Sequence, residues 1–278
     1  MAVRHQHPIG LAALTIGLRF LPLTALSGRR FDWRSALLSM LTFAALFFVA
    51  SDIAQGQLSP RTIVVLAIGL VAGATAIRVA RGQADPLVPV DLMRIAILRL
   101  SYVTSSCSFA AQMIGLVALP FYLQSRFGYG HVQTGLLITA IPLGVAVAAP
   151  LAGRLVDRYP SGLLGGIGLA MMATGYLLLV ALTRATTVSL IVALAICGFG
   201  FGLFQAPNNR TMLGVAPQQR SGAAAGMLAT ARLVGQTLGA VLVALLFRLF
   251  GTTSITPFLL AATLGIVAAG VSVQRLRV

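Results

Sequence analysis

The sequence predicts an all-α fold, a polytopic bundle of transmembrane helices. Composition is the first reason. Of 278 residues, 58% are hydrophobic and 9% charged, with a mean hydropathy of +0.95; a typical soluble domain keeps about 25% of its residues charged. Spacing is the second. The apolar residues gather in nine runs, most of them near the roughly 20 residues a helix needs to cross a hydrocarbon core about 30 Å thick. Charge placement is the third. All 20 basic residues are Arg and all 5 acids are Asp, and they fall mostly between the runs, where water and headgroups solvate them.

The first run, Pro8–Leu23, is short and holds Arg19. A signal peptide, with Arg4 as its basic end and Ala25 near a cleavage site, is the competing reading. Arg19 inside the apolar stretch and Arg29-Arg30 close behind it favour a span. Ser35–Ser51 and Arg61–Ala80 follow. A Pro-broken linker, Arg81–Arg94, comes next, with Leu87, Val88, Val90, Leu92 and Met93 expected to face lipid along the interface. Six further runs complete the chain: Ile95–Leu123, Val132–Ala152, Gly162–Thr183, Val188–Ala206, Ser221–Phe247 and Ser254–Val273. The linker therefore parts three spans from six, and a block of six suggests one half of a two-fold transporter.

Orientation follows from the connections. Arg29-Arg30-Arg34, the Arg78-to-Arg99 linker, the Arg154/Arg158 turn, the Arg210–Arg220 linker and the Arg275/Arg277 tail are basic. The alternate connections carry one Arg each: Arg61, Arg126, Arg184 and Arg248. The positive-inside rule then expects the N-terminus outside and the C-terminus in the cytoplasm.

The net charge of +15 would suggest nucleic acid if the arginines lined one soluble face. They do not, and no nucleic-acid partner is expected; membrane lipid is. Cys107 and Cys197 fall inside apolar runs and read as small buried hydrophobes. His5 and His7 have no acid or thiol near them in sequence, so neither a metal nor a cofactor is expected. No Asp lies within any of the nine runs, and no nucleophile is spaced with a His partner, which argues against an enzyme.

The turn Pro150–Pro160 joins two apolar runs and has to sit at a membrane surface, because its charges cannot enter hydrocarbon. Gly153 is expected to let one helix end approach its neighbour closely. Asp157 precedes the next helix, whose positive end favours an anion, with Arg154 and Arg158 placed to pair with it or with lipid phosphate. Arg232 is the charge deepest in a secure span, with Gln236 one turn on. Such an Arg costs about 2.5–3.5 kcal/mol on insertion scales, so it has to face the bundle interior, water or an acceptor. A structural bond and a gating role both remain open for it. Gly222, Gly226, Gly235 and Gly239 form two small-xxx-small pairs that read as close helix packing. Gly198-Phe199-Gly200-Phe201-Gly202 lies inside a span with no strand before it, so it is not a dinucleotide loop.

Gly153-Arg154-Leu155-Val156-Asp157-Arg158 resembles the G-x-L-x-D-R signature of the major facilitator superfamily. An ordered set of further segments resembles its fourteen-span drug:proton antiporter branch. It includes Pro8-Ile9-Gly10-Leu11, Phe31-Asp32-Trp33-Arg34, Ala84-Asp85-Pro86-Leu87 and Leu119–Gln124. Gln133-Thr134-Gly135-Leu136, the Pro142 helix, the 198–202 glycines, Ala206-Pro207 and Gly226–Gly239 continue it. One departure is plain: after Tyr159, Pro160 and Ser161 stand where the signature carries a glycine and a second cation.

The resemblance implies a partial major-facilitator fold. Residues 1–30 would hold the last helix of an N-terminal bundle whose first five spans are missing. Residues 31–94 would hold an inserted helix pair and linker, and 95–278 a C-terminal six-helix bundle. Gly153, Arg154, Asp157 and Arg158 would form a conformational-switch turn. Ile95–Leu123 and Val188–Ala206 would line a cavity, making Phe109, Gln112, Met113, Phe121, Tyr122, Gln124, Phe199, Phe204 and Gln205 candidate contacts, with Arg232 and Gln236 as cavity or gating residues. The function implied is proton-driven export of drugs or other small lipophilic compounds, with proton coupling in the missing spans. An uptake permease of the same fold and a truncated fragment that transports nothing are the alternatives. The expected partners are a small-molecule substrate, lipid and the missing N-terminal spans.

Overall fold

A computed structural model describes residues 10, 15, 17–19, 32–57, 59–83, 86–182 and 186–277. The chain forms two compact units, Met1–Trp33 and Arg34–Val278. In the first, residues 17–19 are helical; most of the expected Pro8–Leu23 span, and Arg29-Arg30, lie outside the described residues.

Among the described residues from Trp33 onward there are nine α-helices and no strand. They make eight spans long and apolar enough to cross a membrane. Helix α1 (Trp33–Gln55) turns into α2 (Pro60–Arg81) through Gly56, whose φ of 71° suits a residue without Cβ. Ser59 then caps α2. Its hydroxyl accepts the Thr62 N–H at 3.3 Å while Thr62 Oγ1 accepts the Ser59 N–H at 3.2 Å, and Pro60 fills a first-turn position that needs no donor. The two helices pack on small residues: a Cβ at Gly69 would lie 2.6 Å from that of Ala45.

The linker that follows is docked on the protein. A 3₁₀ turn, Leu92–Arg94, buries Leu92 against Leu98, Met212, Ala216, Ala224 and Met227. Leu92 is only 2% exposed, which corrects the expectation that it faces lipid; Leu87 is exposed. The register is fixed by Arg220, which donates to both Asp91 carboxylate oxygens (2.9 and 2.8 Å) and to the Pro86 carbonyl (2.8 Å).

Helices α3 (Ala96–Phe127), α4 (His131–Ile138), α5 (Ala140–Leu155), α6 (Ser161–Ala181), α7 (Thr187–Gly214), α8 (Ser221–Phe250) and α9 (Thr256–Gln274) build the remaining six spans. Where one continuous helix over Val132–Ala152 was expected, the chain breaks at Thr139 into α4 and α5. Pro142 is the reason: it lacks a donor and its ring clashes with the carbonyl four residues back. The core runs through Ile114, Leu119, Tyr122 and Leu123 of α3, Leu169, Met172 and Leu179 of α6, Leu190 and Phe204 of α7 and Phe258 of α9.

Lipid tails are as apolar as Leu, so membrane helices associate through close packing of small residues. Several such seams hold this bundle, among them α6 on α9, where Gly162 lies on the Ser272 carbonyl and Gly265 on Ala173. Between α5 and α7, a Cβ at Gly144 would fall 2.6 Å from the Ala195 carbonyl, and one at Gly198 would overlap Ile141. Between α6 and α7, Gly168 lies on Gly200 and Gly175 on Cys197. Between α3 and α8, Gly235 and Gly239 lie on the backbone at Ser106 and Ala110. Gly222 and Gly226 have nothing within 4 Å, so only the second of the expected glycine pairs is a packing seam.

Candidate functional site

The turn after α5 carries a charge link whose partner the sequence did not reveal. Asp157 accepts a hydrogen bond from Arg210 Nη1 of α7 at 2.6 Å. Arg154 and Arg158 are exposed and make no ion pair with it among the described residues. The link ties the α5–α6 turn to α7 across 53 positions of sequence. Its side chains are 61% and 64% exposed, so it can form and break without burying a lone charge. Gly153 is exposed with nothing within 4 Å, against the expectation of a close approach. Just beneath, Thr211 of α7 and Ser161 of α6 share a 2.7 Å hydroxyl contact.

The same end of the bundle hides a second cation. Arg275, expected in a solvated tail, is 5% exposed. Its Nη1 donates to Ser101 Oγ (3.0 Å) and Asn208 Oδ1 (2.7 Å), and its Nε donates to the Ser272 carbonyl (3.3 Å). Nη2 also reaches Ser272 Oγ. Asn208 Nδ2 passes the chain on to Ser105 Oγ at 2.7 Å, and Ser272 Oγ donates to the Gly162 carbonyl at 2.9 Å. Among the described residues no carboxylate pairs with this guanidinium. Neutral oxygens from α3, α6, α7 and α9 form one node around it, and Gly165 makes the room: a Cβ there would lie 3.0 Å from Nη2. A signal existed in the sequence, since Asn208, Asn209 and Arg210 interrupt an apolar stretch. Nothing in the spacing, however, linked them to residue 275.

The expected cavity residues divide. Phe109 packs edge-on to Phe201 (centroids 5.3 Å apart, 73°), and the exposed Arg232 guanidinium stands 5.7 Å above the Phe109 ring. Gln236 is half-buried one turn on. Gln112 lines a cavity of about 30 Å³ with Leu116, Ile141, Met172, Tyr176 and Phe201. Met113 lies against Gly239 of α8. Phe121 is exposed and packs edge-on to Phe247 at 5.2 Å. Tyr122 and Phe204 are each 1% exposed and sit in the core rather than on an open wall. Among the described residues the Tyr122 hydroxyl has no hydrogen-bond partner. Phe199 packs with Ala148, Ala152 and Leu203 between α5 and α7. Gln124 and Gln205 are half-buried.

One absence expected from the sequence is corrected. Helix α1 continues past Ser51 to Gln55, so Asp52 lies inside a membrane-length helix. Its Oδ2 accepts the Thr62 hydroxyl at 2.5 Å. Among the described residues no three His, Cys or Asp side chains converge as a metal ion would need.

The comparisons with known proteins agree with this architecture. The family description "Major Facilitator Superfamily" matches residues 101–276. The "Uncharacterized transporter YebQ" of Escherichia coli (strain K12) is 46% identical over 273 residues, 97% of this chain and 60% of that protein. "Multidrug resistance protein Stp" of Mycobacterium tuberculosis is 30% identical over 212 residues, 76% of this chain and 40% of its own length. "Multidrug efflux pump LfrA" of Mycolicibacterium smegmatis is 26% identical over 254 residues, 87% of this chain and 49% of its own length. The chain thus spans about 60% or less of each of these relatives. Eight apolar helices, six of them closed round one core, and a family match over that core lead to one conclusion: the chain is an integral membrane protein of the major facilitator superfamily, a family of transporters and not of enzymes.

Proposed function

We propose that the chain supplies the C-terminal part of a transporter that exports drugs or other small lipophilic compounds in exchange for protons, by alternating access. The observation that carries this reading is Arg232. Its guanidinium is exposed on the bundle face, twelve positions into α8, and rests on the Phe109 ring. A cation so placed is stable only beside water or a polarisable partner, so this face lines a water-accessible path. Phe109 lies under it and Gln236 is one turn on; with Gln112 and Met113, which follow Phe109 along α3, they make a mixture of aromatic, thioether and amide groups suited to varied lipophilic guests. The names of two relatives, a multidrug resistance protein and a multidrug efflux pump, favour export.

On this reading the 153–158 turn is the switch. Asp157 and Arg210 hold the α5–α6 turn to α7 in one state of the cycle and release it in the other, with Arg154 and Arg158 at the lipid phosphates. Asp52, inside a membrane-length helix, is this chain's candidate for proton coupling; further coupling groups are assigned to the N-terminal spans that the family resemblance implies. The basic connections lie in the cytoplasm of a bacterial inner membrane.

The test is a fusion of this chain behind the N-terminal portion of its E. coli relative, expressed in a pump-deficient host. Lower retention of lipophilic dyes, abolished by a protonophore and by Arg232→Leu, is the expected result. Unchanged retention across a broad dye panel, with the fusion present in the membrane, would overturn the proposal.

A further inference from the structure

The chain carries a second binding feature, away from the switch turn and from the Arg232 face. Between α1 and α8 runs a groove of about 220 Å³. Its walls are apolar: Phe43, Leu46 and Phe47 on one side, Leu233, Leu238 and Val241 on the other. The one hydroxyl on the wall, that of Thr237, is turned back onto the Leu233 carbonyl at 2.8 Å. From Phe43 to Ile53 the groove extends about 15 Å along α1, half of a hydrocarbon core of about 30 Å. That is the depth of one leaflet. A slot of that length, walled by apolar side chains of two helices with its one hydroxyl turned away, suits an acyl chain.

One mouth of the groove is charged. Val241 lines the wall, and Arg248 follows it by two helical turns on the same face of α8. On the facing side Ile53 lines the wall, and Gly56 follows it in the α1–α2 turn. The Arg248 guanidinium lies so close to Gly56 that a Cβ there would overlap it. Arg248 is exposed and makes no ion pair or hydrogen bond among the described residues. It stands two residues from the end of α8, where the span meets the headgroups. An apolar slot one leaflet deep, capped by an unpaired guanidinium at the boundary, matches a lipid with an anionic phosphate head.

We propose that the α1–α8 groove binds one anionic phospholipid, with an acyl chain between Phe47 and Leu238 and its phosphate on Arg248. The site needs only that the chain lies in a bilayer; it does not depend on what the transporter carries. Lipid bound there joins the inserted helix pair to the six-span bundle.

The experiment is native mass spectrometry of the full chain released from nanodiscs of equal parts phosphatidylethanolamine and phosphatidylglycerol. The wild type should retain one phosphatidylglycerol. Arg248→Gln, at an exposed position, should lower that retention roughly fivefold, the worth of one cation at an anionic surface. Leu238→Trp, which fills the slot, should remove lipid of both kinds while leaving the unfolding midpoint in detergent unchanged. Free glycerol phosphate should not bind. Equal retention by Arg248→Gln, retention that survives Leu238→Trp, or a second copy of the chain in place of lipid would each overturn the proposal.

Discussion

Arg275 shows how a single residue changes meaning once its neighbours are known. A guanidinium 5% exposed with only neutral acceptors is stable because Ser101, Asn208 and Ser272 satisfy most of its donors. Asn208→Ala removes an acceptor from a buried charge, and a hydrogen bond to a charged group is worth about 1.5–3 kcal/mol. The unfolding midpoint of this variant in detergent should fall, and Arg275→Met in the same background should recover part of the loss, since both partners are then gone. Full additivity of the two substitutions would show that the pair is not coupled. Asp157 and Arg210 are the opposite case. Their pair is more than half exposed, and such pairs contribute about 0–1 kcal/mol. Asp157→Asn should therefore leave stability nearly unchanged and shift the balance between the two access states. Cysteine labelling on each face of the bundle checks it, and identical labelling of the two proteins would count against the switch.

At the scale of the element, the seams decide which glycines matter. Gly198 and Gly222 are both glycines in long apolar helices, yet a Cβ at the first overlaps Ile141 and at the second meets open space. Gly198→Leu is expected to separate α5 from α7 and abolish a folded monodisperse peak in detergent, because overpacking of even a few methylenes costs about 1–3 kcal/mol. Gly222→Leu should elute like the wild type. The clasp between Asp91 and Arg220 is an element-level device as well. Arg220 has little exposed surface, 11%, and holds the 86–94 linker to the start of α8. Asp91→Asn should free the linker, and limited proteolysis near Arg94 should become faster. An unchanged cleavage pattern would mean that Leu92 and the apolar cluster around it hold the linker unaided.

At the scale of the molecule, the described residues from Trp33 onward form a bundle of six spans with a helix pair before it, and the charges at its ends follow that division. The end bearing the 156–160 turn also bears Arg210, Arg220, Arg275 and the docked linker, where most of the connecting arginines lie. Among the described residues, two ties, Asp157–Arg210 and Asp91–Arg220, and one buried node hold that end together. If one bundle rocks against another, the linker from Pro86 onward moves with this bundle, because Arg220 and Leu92 fix it there. Tags at the 156–160 turn and at the C-terminus should be reached by protease from the same face of the membrane. Finding them on opposite faces would remove the orientation and the mechanism together.

The sequence by itself determined the class of fold, the number and order of the spans after residue 33, and the family. Each rests on local regularities: the length of an apolar run, the arginines between runs, the pattern Gly153 to Arg158. The helix caps are equally local, since Ser59-Pro60 and Gly128 act on their own neighbours. Tertiary structure alone decided the rest. It gave Asp157 to Arg210 rather than to Arg154 or Arg158, buried Arg275, turned Tyr122 and Phe204 into the core, and left Gly153 in the open. The physical reason is that helices in a membrane are apolar on every side, so periodicity carries almost no record of which face meets which neighbour. Only the approach of one backbone to another selects the partners.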